Sequence, residues 1–265
     1  MSLEAKKSLG QNFLKSKKAI SAMISAPEIS RGDIVVEIGP GKGALTRPLL
    51  ETGATVIAFE LDQRMVGYLK EEFTEYIDNK KLILVHQDVL EVDIKEFTKG
   101  KPYKVVANIP YYITNLIVRN FLSNVYQPTA MCLLIQKEVA ERIVSRDGKE
   151  SILSLSVKIF GDPKYIAKVA RQYFSPSPKV DSAIILISDI NRQYVPNSKD
   201  EEEFFEVIKA AFAQKRKQAI KNLSKLKPRS YWEEIFNSLD LEKKVRAEDI
   251  TFQKWLQIVD KYNEN

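Results

Sequence analysis

Five short runs of apolar residues constrain the fold of this 265-residue chain more than any other feature. They lie at residues 34–38, 55–59, 82–86, 105–107 and 129–135. Each run is apolar almost throughout instead of alternating with polar residues, which is typical of strands buried on both faces of a parallel sheet. Helical patterns follow the runs, so the sequence predicts repeated βα units and an α/β fold.

Two further strands and a helical tail complete the predicted architecture. Residues 165–169 and 183–187 are the sixth and seventh strands, and because no helix separates them we expect them to pair antiparallel. The stretch 191–200 is polar and lacks an apolar face, so it is predicted to link two domains. Apolar pairs then recur at helical spacing. We therefore expect a domain at 1–190, including a basic N-terminal arm, and a helical domain at 201–265.

The composition excludes several classes of protein. A single cysteine, Cys132, and a single histidine, His86, cannot form an internal disulfide or a Cys/His zinc site, and we expect no metal. No apolar run reaches the roughly 18–20 residues of a transmembrane helix. No apolar segment follows the basic N-terminus, which argues against a secretory signal. We therefore expect a cytoplasmic protein that does not bind membranes. His86 ends an apolar strand, and we expect it to be structural.

A glycine turn follows the first predicted strand. Gly39, Gly41 and Gly43 precede a helical pattern, and glycine there permits positive φ and close approach of a ligand. The spacing differs from the GxGxxG of dinucleotide-binding folds and from the GxxxxGK[ST] phosphate loop. With Glu37 before it, the turn resembles the first motif of class I S-adenosylmethionine-dependent methyltransferases. Glu60 ends the second strand, about 20 residues further on, and is placed to accept hydrogen bonds from ribose hydroxyls.

A strand-to-helix turn with the sequence Asn-Ile-Pro-Tyr-Tyr-Ile-Thr follows the fourth predicted strand, at residues 108–114. Proline fixes φ and removes a backbone donor, so Asn108 and a neighbouring carbonyl would point the same way, beside an aromatic face. This arrangement suits a flat base with an exocyclic amine, at the sheet edge where open α/β folds bind ligands. The alternative is an ordinary proline-containing loop with Tyr111 half-buried. We expect Tyr112 to pack against the protein.

A proline-rich segment at residues 174–182 lies between the sixth and seventh strands. Two prolines separated by one residue predict a stiff, extended loop. Phe174 begins this segment, and it is either a core residue or an exposed platform for stacking. The residues themselves leave both alternatives open.

Basic residues are concentrated in two segments of a chain with a net charge of +6. Residues 214–229 carry seven Lys or Arg residues and no acid, which predicts a basic helix in contact with nucleic acid. Residues 6–18 carry five lysines and form either a solvated terminus or a second contact with phosphates. Phe13 and Leu14 within this arm indicate that it folds back onto the protein.

Six motifs together resemble one family, the ribosomal RNA adenine N6,N6-dimethyltransferases of the KsgA type, which are related to the Erm methyltransferases. The motifs lie at residues 10–14, 37–41, 59–62, 108–114, 174–183 and 212–217. The resemblance implies a Rossmann-like class I methyltransferase fold with a seven-stranded, mostly parallel sheet and a small C-terminal all-helical domain. It also implies a monomer that uses S-adenosylmethionine to dimethylate two adjacent adenines near the 3′ end of small-subunit rRNA during ribosome maturation.

The resemblance implies roles for the matching positions. Cofactor contacts are implied for Asn12, Leu14, Gly39, Gly41, Glu60, Leu61, Asp88, Val89 and Asn108. Catalytic roles are implied for Asn108, Pro110, Tyr111 and Phe174, with the target adenine flipped between the two aromatic rings. Contacts with RNA are expected at Lys6, Lys7, Lys15, Lys215, Arg216, Lys217 and Lys221.

This chain departs from the family pattern at three places. Lys42 occupies a position that is often apolar or Thr, Gln87 precedes Asp88 where glycine is usual, and residues 151–157 lack a common Tyr-Gly pair. Two alternative functions stay open: Erm-like methylation of large-subunit rRNA, and a non-catalytic RNA-binding factor of ribosome assembly. The intact Asn-Ile-Pro-Tyr turn argues against the second. A dinucleotide-dependent dehydrogenase is disfavoured by the glycine spacing.

Overall fold

The computed structural model describes residues 3–6 and 9–263. The chain forms two compact units. The first extends to residue 140 and includes residues 162–190, and the second combines residues 141–161 with the chain from residue 191 onward. Lys7, one of the predicted RNA contacts, lies outside the described residues. Among the helices of the described ranges, none has the length and apolar character needed to cross a membrane.

A seven-stranded sheet forms the centre of the first unit. The strands of this unit are β1 (Phe13–Leu14), β2 (Ile34–Ile38), β3 (Thr55–Phe59), β4 (Leu82–Val85), β5 (Lys104–Asn108), β6 (Ala130–Gln136), β7 (Asp162–Val169), β8 (Phe174–Ser175) and β9 (Ser182–Ser188). The sheet has the order β4-β3-β2-β5-β6-β9-β7, and β1 pairs separately with β8. The first five strands in that order are parallel, whereas β9 is antiparallel to both β6 and β7. The predicted sheet and its antiparallel last pair are confirmed.

Burial on both faces explains the apolar runs. Val105, Val106 and Ala107 of β5 are fully buried, whereas the edge strand β7 alternates between exposed and part-buried positions. Cys132 lies in the buried strand β6, and burial raises the pKa of its thiol to about 12. This thiol is therefore a small apolar core group and not a nucleophile.

Helices connect the strands of the first unit. They are α1 (Lys17–Ser25), α2 (Thr46–Glu51), α3 (Gln63–Glu72), α4 (Thr74–Asp78), α5 (Ile94–Thr98), α6 (Thr114–Ser123) and α7 (Lys137–Ile143), of which α7 continues into the second unit. Side-chain caps precede three of them: Ser16 accepts from the Ala19 N–H at 3.2 Å ahead of α1, Asp62 accepts from the Arg64 N–H at 3.2 Å ahead of α3, and Asp93 accepts from the Lys95 N–H at 2.9 Å ahead of α5. Such caps satisfy donors that the first helical turn leaves free.

The order of the strands places the two main sequence motifs together. In the sheet, β3 and β4 lie on one side of β2, and β5 and β6 lie on the other, so the strand order reverses next to β2. A crevice opens at such a switch point, outside the carboxyl ends of the strands. The glycine turn follows β2, and Asn108 ends β5. Both motifs therefore face the same crevice.

The second unit is helical. Its helices are α8 (Ile152–Lys158), α9 (Ser198–Ala211), α10 (Ala219–Leu223), α11 (Arg229–Ser238) and α12 (Phe252–Asn263). Trp232 and Trp255 are fully buried in it. The segment 141–161 is tied to the later part of this unit, since the Glu150 N–H donates to the Glu248 carbonyl at 2.8 Å.

The prediction of a basic helix over residues 214–229 is wrong. Residues 215–217 form a turn between α9 and α10. The buried Asn222 accounts for this, because its side-chain Nδ2 donates to the carbonyls of Ala211 at 2.6 Å and Gln214 at 3.1 Å. These bonds satisfy carbonyls at the end of α9 and hold the basic turn at the surface.

Candidate active site

A cavity open to solvent lies at the carboxyl ends of β2, β3 and β5 within the first unit. It brings together every predicted cofactor and catalytic residue except Phe174. The predicted residues that line it are Asn12, Leu14, Gly39, Gly41, Glu60, Leu61, Asp88, Val89, Asn108, Pro110 and Tyr111.

The absence of a Cβ has a different consequence at each of two glycines of the turn: Gly39 leaves open space, and Gly41 leaves room for the Phe13 ring. Gly39 has a φ of +65°, and a Cβ built there would meet nothing within 4 Å. Gly41 has a φ of +57°, and a Cβ there would come within 3.0 Å of the Phe13 ring. A side chain at Gly41 would therefore strain the backbone and displace the N-terminal arm.

The carboxyl group of Glu60 is held by backbone donors. Its Oε2 accepts from the Gly41 N–H at 3.0 Å, and its Oε1 accepts from the Asp62 N–H at 2.9 Å. Burial raises the pKa of Glu60, while these N–H groups act in the opposite direction. Each oxygen keeps a further lone pair, so the group can accept from a diol in the cavity. Asp88, farther along the rim, accepts from the Leu90 N–H at 3.0 Å.

Glu37 lines the cavity but was not among the predicted site residues. It is 1% exposed, and its Oε2 has no hydrogen-bond partner among the residues that the structure describes. Burial raises the pKa of Glu37 to about 8. Its position was the available signal, because an acid near the end of an apolar strand, two residues before a glycine turn, is costly to bury without a partner.

The N-terminal arm folds back over the cavity, as its apolar residues predicted. In the pairing of β1 with β8, Phe13 lies opposite Ser175 and Leu14 lies opposite Phe174. The Lys42 ammonium lies 4.9 Å from the centroid of the Phe13 ring, a cation–π contact. Lys42, which departs from the family pattern, therefore contacts the arm.

Asp62 holds an earlier part of the arm. Its buried carboxylate accepts from Lys6 Nζ at 3.2 Å and from Gln11 Nε2 at 3.2 Å, and it pairs with Arg64 at 2.7 Å. Hydrogen bonds, first of all from Arg64, hold the pKa of Asp62 well below its usual range. Lys6 is a predicted RNA contact, and in this structure its ammonium group pairs with Asp62.

The Asn-Ile-Pro-Tyr turn presents polar groups to the cavity. Asn108 Nδ2 donates to the backbone carbonyl of Asn12 at 2.9 Å. The Pro110 carbonyl accepts from the Ile113 N–H at 3.2 Å and so closes a short 3₁₀ turn. The side chain of Asn108 is thus tied to the arm on its nitrogen side.

The two tyrosines of the turn differ in their surroundings. The Tyr111 hydroxyl is hydrogen-bonded to Ser182 Oγ at 2.7 Å, and burial raises the pKa of Tyr111, so the phenol stays protonated. This bond fixes the ring at the edge of the cavity. Tyr112 is 65% exposed at the rim, and its ring packs against Gly10 of the arm, where a Cβ would come within 3.1 Å of the ring.

Phe174 occupies a core position in the described structure. It is 3% exposed, belongs to the hydrophobic core beside Leu14, and does not line the cavity. Its neighbour Tyr173 is 45% exposed. Of the two alternatives that the sequence left open, the structure places Phe174 in the core.

The other predicted RNA contacts are exposed. Lys15 is exposed on the arm, and Lys215, Arg216, Lys217 and Lys221 are exposed in the second unit. Over the described ranges, none of these side chains forms an ion pair or hydrogen bond. Their charges are therefore free to contact an anionic partner.

Comparison with known proteins supports one family. A family model described as ribosomal RNA adenine dimethylase matches residues 2–264. Ribosomal RNA small subunit methyltransferase A of Fusobacterium nucleatum is 37% identical over 262 residues, which cover 98% of each chain. The Lactobacillus johnsonii protein of the same name is 38% identical over 268 residues, covering 97% of this chain and 90% of the relative.

Two solved structures share the fold over nearly the whole chain. A dimethyladenosine transferase from Plasmodium falciparum has a TM-score of 0.81 at 25% identity, covering 95% of this chain and 98% of its own. The 23S rRNA methyltransferase ErmE has a TM-score of 0.80 at 24% identity, covering 95% and 100%, which is a likeness of fold alone. Since the family model and the relatives extend over almost the full length, the chain belongs to the ribosomal RNA adenine dimethylase family.

Proposed function

We propose that the protein uses S-adenosylmethionine to dimethylate the N6 amines of two adjacent adenines near the 3′ end of small-subunit rRNA, during ribosome maturation. The observation that carries this proposal is the placement of Asn108 and Tyr111 on the same cavity as Glu60 and the glycine turn. The choice of the small subunit is supported by relatives named ribosomal RNA small subunit methyltransferase A, at 34–38% identity over nearly the whole chain.

The side chains of the cavity fit this cofactor. The buried Oε2 of Glu37, which no other described residue satisfies, offers an acceptor for an ammonium group. Glu60 offers acceptors for the ribose hydroxyls, and Asp88 offers one for the adenine amino group. Leu61, 48% exposed at the cavity, offers an apolar surface for the adenine ring. When bound, the cofactor supplies an electrophilic methyl group on a sulfonium.

Two acceptors would orient the target amine. Asn108 Oδ1 accepts one N–H, and the carbonyl of Ile109 or Pro110 accepts the other; the Pro110 carbonyl also accepts from the Ile113 N–H. Holding both N–H groups biases the nitrogen toward a tetrahedral form whose lone pair is free to react. An aryl amine loses its proton readily once alkylated, so no strong base is needed, and positioning with desolvation supplies most of the rate. After the first transfer, the remaining N–H can use either acceptor.

The target base would stack on Tyr111, whose ring the bond to Ser182 holds at the cavity edge. Stacking of a base on an aromatic ring contributes roughly 1–3 kcal/mol, which offsets the few kcal/mol needed to flip the base out of its RNA stack. Phe174 is the proposed second wall. Because Phe174 is 3% exposed, a base can stack on it only if β8 and the arm shift.

The exposed basic residues of the second unit would bind RNA phosphates. Lys215, Arg216 and Lys217 share one turn, and Lys221 follows on α10. Phosphate contacts of this kind release counterions, so the affinity for RNA should fall steeply with salt.

The test is methylation of purified ribosomal subunits with radiolabelled S-adenosylmethionine, followed by primer extension and mass spectrometry of the modified nucleosides. We expect label in small-subunit rRNA, at two adjacent adenines, as N6,N6-dimethyladenosine. Label in large-subunit rRNA would instead establish Erm-like specificity. Binding to small subunits without any transfer would establish a non-catalytic assembly factor.

A further inference from the structure

We propose that the N-terminal arm is a positioning element of the methyl-transfer reaction. The backbone carbonyl of Asn12 fixes the side-chain amide of Asn108, and only the closed arm keeps Asn108 Oδ1 available to the target amine. The inference rests on the proposed function, because it concerns how the same site orients that amine. It connects two residues that lie 96 positions apart in the sequence.

The chemistry of the contact leaves one orientation for the amide. A backbone carbonyl can only accept, whereas the Asn108 side chain has one donor group, Nδ2, and one acceptor, Oδ1. Nδ2 lies 2.9 Å from the Asn12 oxygen, in a part-buried contact. The flipped amide would bring two acceptors together. Oδ1 therefore occupies the other branch, and within residues 3–6 and 9–263 no donor is bonded to it.

Contacts on both sides of Asn12 hold its carbonyl in place. Phe13, the next residue, pairs with β8, and its ring fills the space above Gly41 where a Cβ would come within 3.0 Å. Gln11, the preceding residue, donates from Nε2 to the buried carboxylate of Asp62 at 3.2 Å. The Asn12 carbonyl is therefore held by the contacts of Gln11 and Phe13 together with its bond to Asn108.

The same contacts connect the cofactor side of the cavity to the target side. The Asp62 N–H donates to Glu60, the proposed ribose acceptor, and the Asp62 carboxylate holds Gln11. Opening the arm removes the acceptor from Asn108 Nδ2, and an amide that rotates freely presents either a donor or an acceptor to the amine. A closed arm is therefore a condition for productive orientation, and turnover depends on it.

The pH profile of Asn108→Asp distinguishes this role from simple packing. A protonated carboxyl group has one donor and one acceptor, as the amide has, whereas an ionised carboxylate cannot donate to the Asn12 carbonyl. The turnover of this variant, divided by that of the wild type at the same pH, should rise at least about fivefold from about pH 8.5 to about pH 6. A ratio that stays constant over this range would overturn the inference.

Hydrogen exchange tests the contact without any turnover. In Asn108→Ala, the amides of residues 10–14 should exchange at least about tenfold faster, because the arm loses its contact with β5. The control is Asn124→Ala, which removes an amide that accepts from the Tyr126 N–H at 2.9 Å after α6 and should leave exchange in the arm unchanged. Unchanged exchange in Asn108→Ala would contradict the coupling.

A third variant leaves Asn108 intact. Gln11→Ala loosens the arm from Asp62 and should lower kcat at least about threefold, with a pH profile parallel to that of the wild type. A wild-type kcat in Gln11→Ala would count against the inference. A wild type that methylates no RNA would overturn the proposed function together with the inference, whereas wild-type turnover with a constant Asn108→Asp ratio overturns the inference alone.

Discussion

Glu37 is a carboxyl group buried with one oxygen unsatisfied among the described residues, a costly state for an ionised acid. Burial keeps it protonated up to a pH of about 8. A cationic group entering the cavity would favour the ionised form. We therefore expect binding of the proposed cofactor to release a proton near neutral pH.

Glu37→Gln gives a prediction about stability and pH. The folded protein holds the Glu37 proton up to a pH of about 8, whereas the unfolded chain releases it near the ordinary value of 4.5. The wild type should thus lose stability as pH rises through this window, and the variant should not. The stability of Glu37→Gln relative to the wild type should increase from about pH 5 to about pH 8, with a ceiling on the order of 5 kcal/mol.

Thermal or urea unfolding of the cofactor-free protein at several pH values measures this difference. Glu75→Gln, on the first turn of α4, is the matched control, since it removes a carboxyl group that is exposed. A stability difference for Glu37→Gln that does not change with pH would show that the Glu37 carboxyl is ionised in the folded protein.

Phe174→Leu separates the two roles of this side chain. Leucine fills most of the core site beside Leu14 but offers no aromatic face, so the change in stability should be below about 1.5 kcal/mol. If Phe174 is the second stacking wall, RNA-dependent methylation should fall by roughly 5- to 150-fold, the equivalent of 1–3 kcal/mol. Cofactor affinity measured by titration should stay near the wild type. Full methylation by Phe174→Leu would leave Tyr111 as the stacking residue and Phe174 as core.

At the scale of elements, the basic turn between α9 and α10 is the proposed contact with RNA phosphates. Asn222 holds this turn through the carbonyls of Ala211 and Gln214, and the three consecutive basic residues of the turn are all exposed. This geometry concentrates three cationic groups at residues 215–217 on a short piece of surface.

Charge reversal in this turn should weaken RNA binding and reduce its dependence on salt. For Lys215→Glu with Arg216→Glu, the slope of log affinity against log salt should decrease by about 1.5–2, close to one for each lost phosphate contact. Lys199→Glu with Lys244→Glu changes the net charge of the same unit equally and should keep a slope near that of the wild type. Equal slopes for both double variants would show that RNA binds elsewhere on the protein.

At the scale of the whole molecule, the chain crosses between its two compact units more than once. Residues 141–161 belong to the second unit, although residues 162–190 return to the first and supply β7 and β9 to its sheet. Leu155, Val157 and Ile159 of the crossing segment are fully buried. A fragment that ends at residue 190 would lack the rest of the second unit.

We therefore expect the fragment 1–190 to unfold more than about 10 °C below the full chain and to bind a hydrophobic dye, since each exposed aliphatic side chain costs about 1.5–3 kcal/mol. Leu155→Ser with Ile159→Ser should lower dye binding by the fragment, whereas in the full chain the same pair should lower the melting temperature. A fragment as stable as the full chain would show that residues 1–190 form an autonomous domain.

The sequence by itself determined the strands, the glycine turn and the order of the family motifs. The periodicity of apolar residues that distinguishes strands from helices depends only on neighbours in the chain. The backbone freedom of glycine and the backbone restriction of proline are properties of the residue itself. For this reason the predicted strands agree with β2 to β6 within one or two residues, and the glycine turn lies where its spacing placed it.

Only the tertiary structure decided which side chains the cavity uses and how they are held. The Asn12–Asn108 bond, the Asp62 contacts of the arm and the core position of Phe174 join segments far apart in sequence, and no local pattern encodes such pairs. The basic turn failed as a predicted helix because the buried Asn222 side chain donates to the carbonyls of Ala211 and Gln214, which helical periodicity does not reveal. In each case the outcome depends on the free energy of burying polar and apolar groups against particular partners. Those partners come together only once the chain has folded.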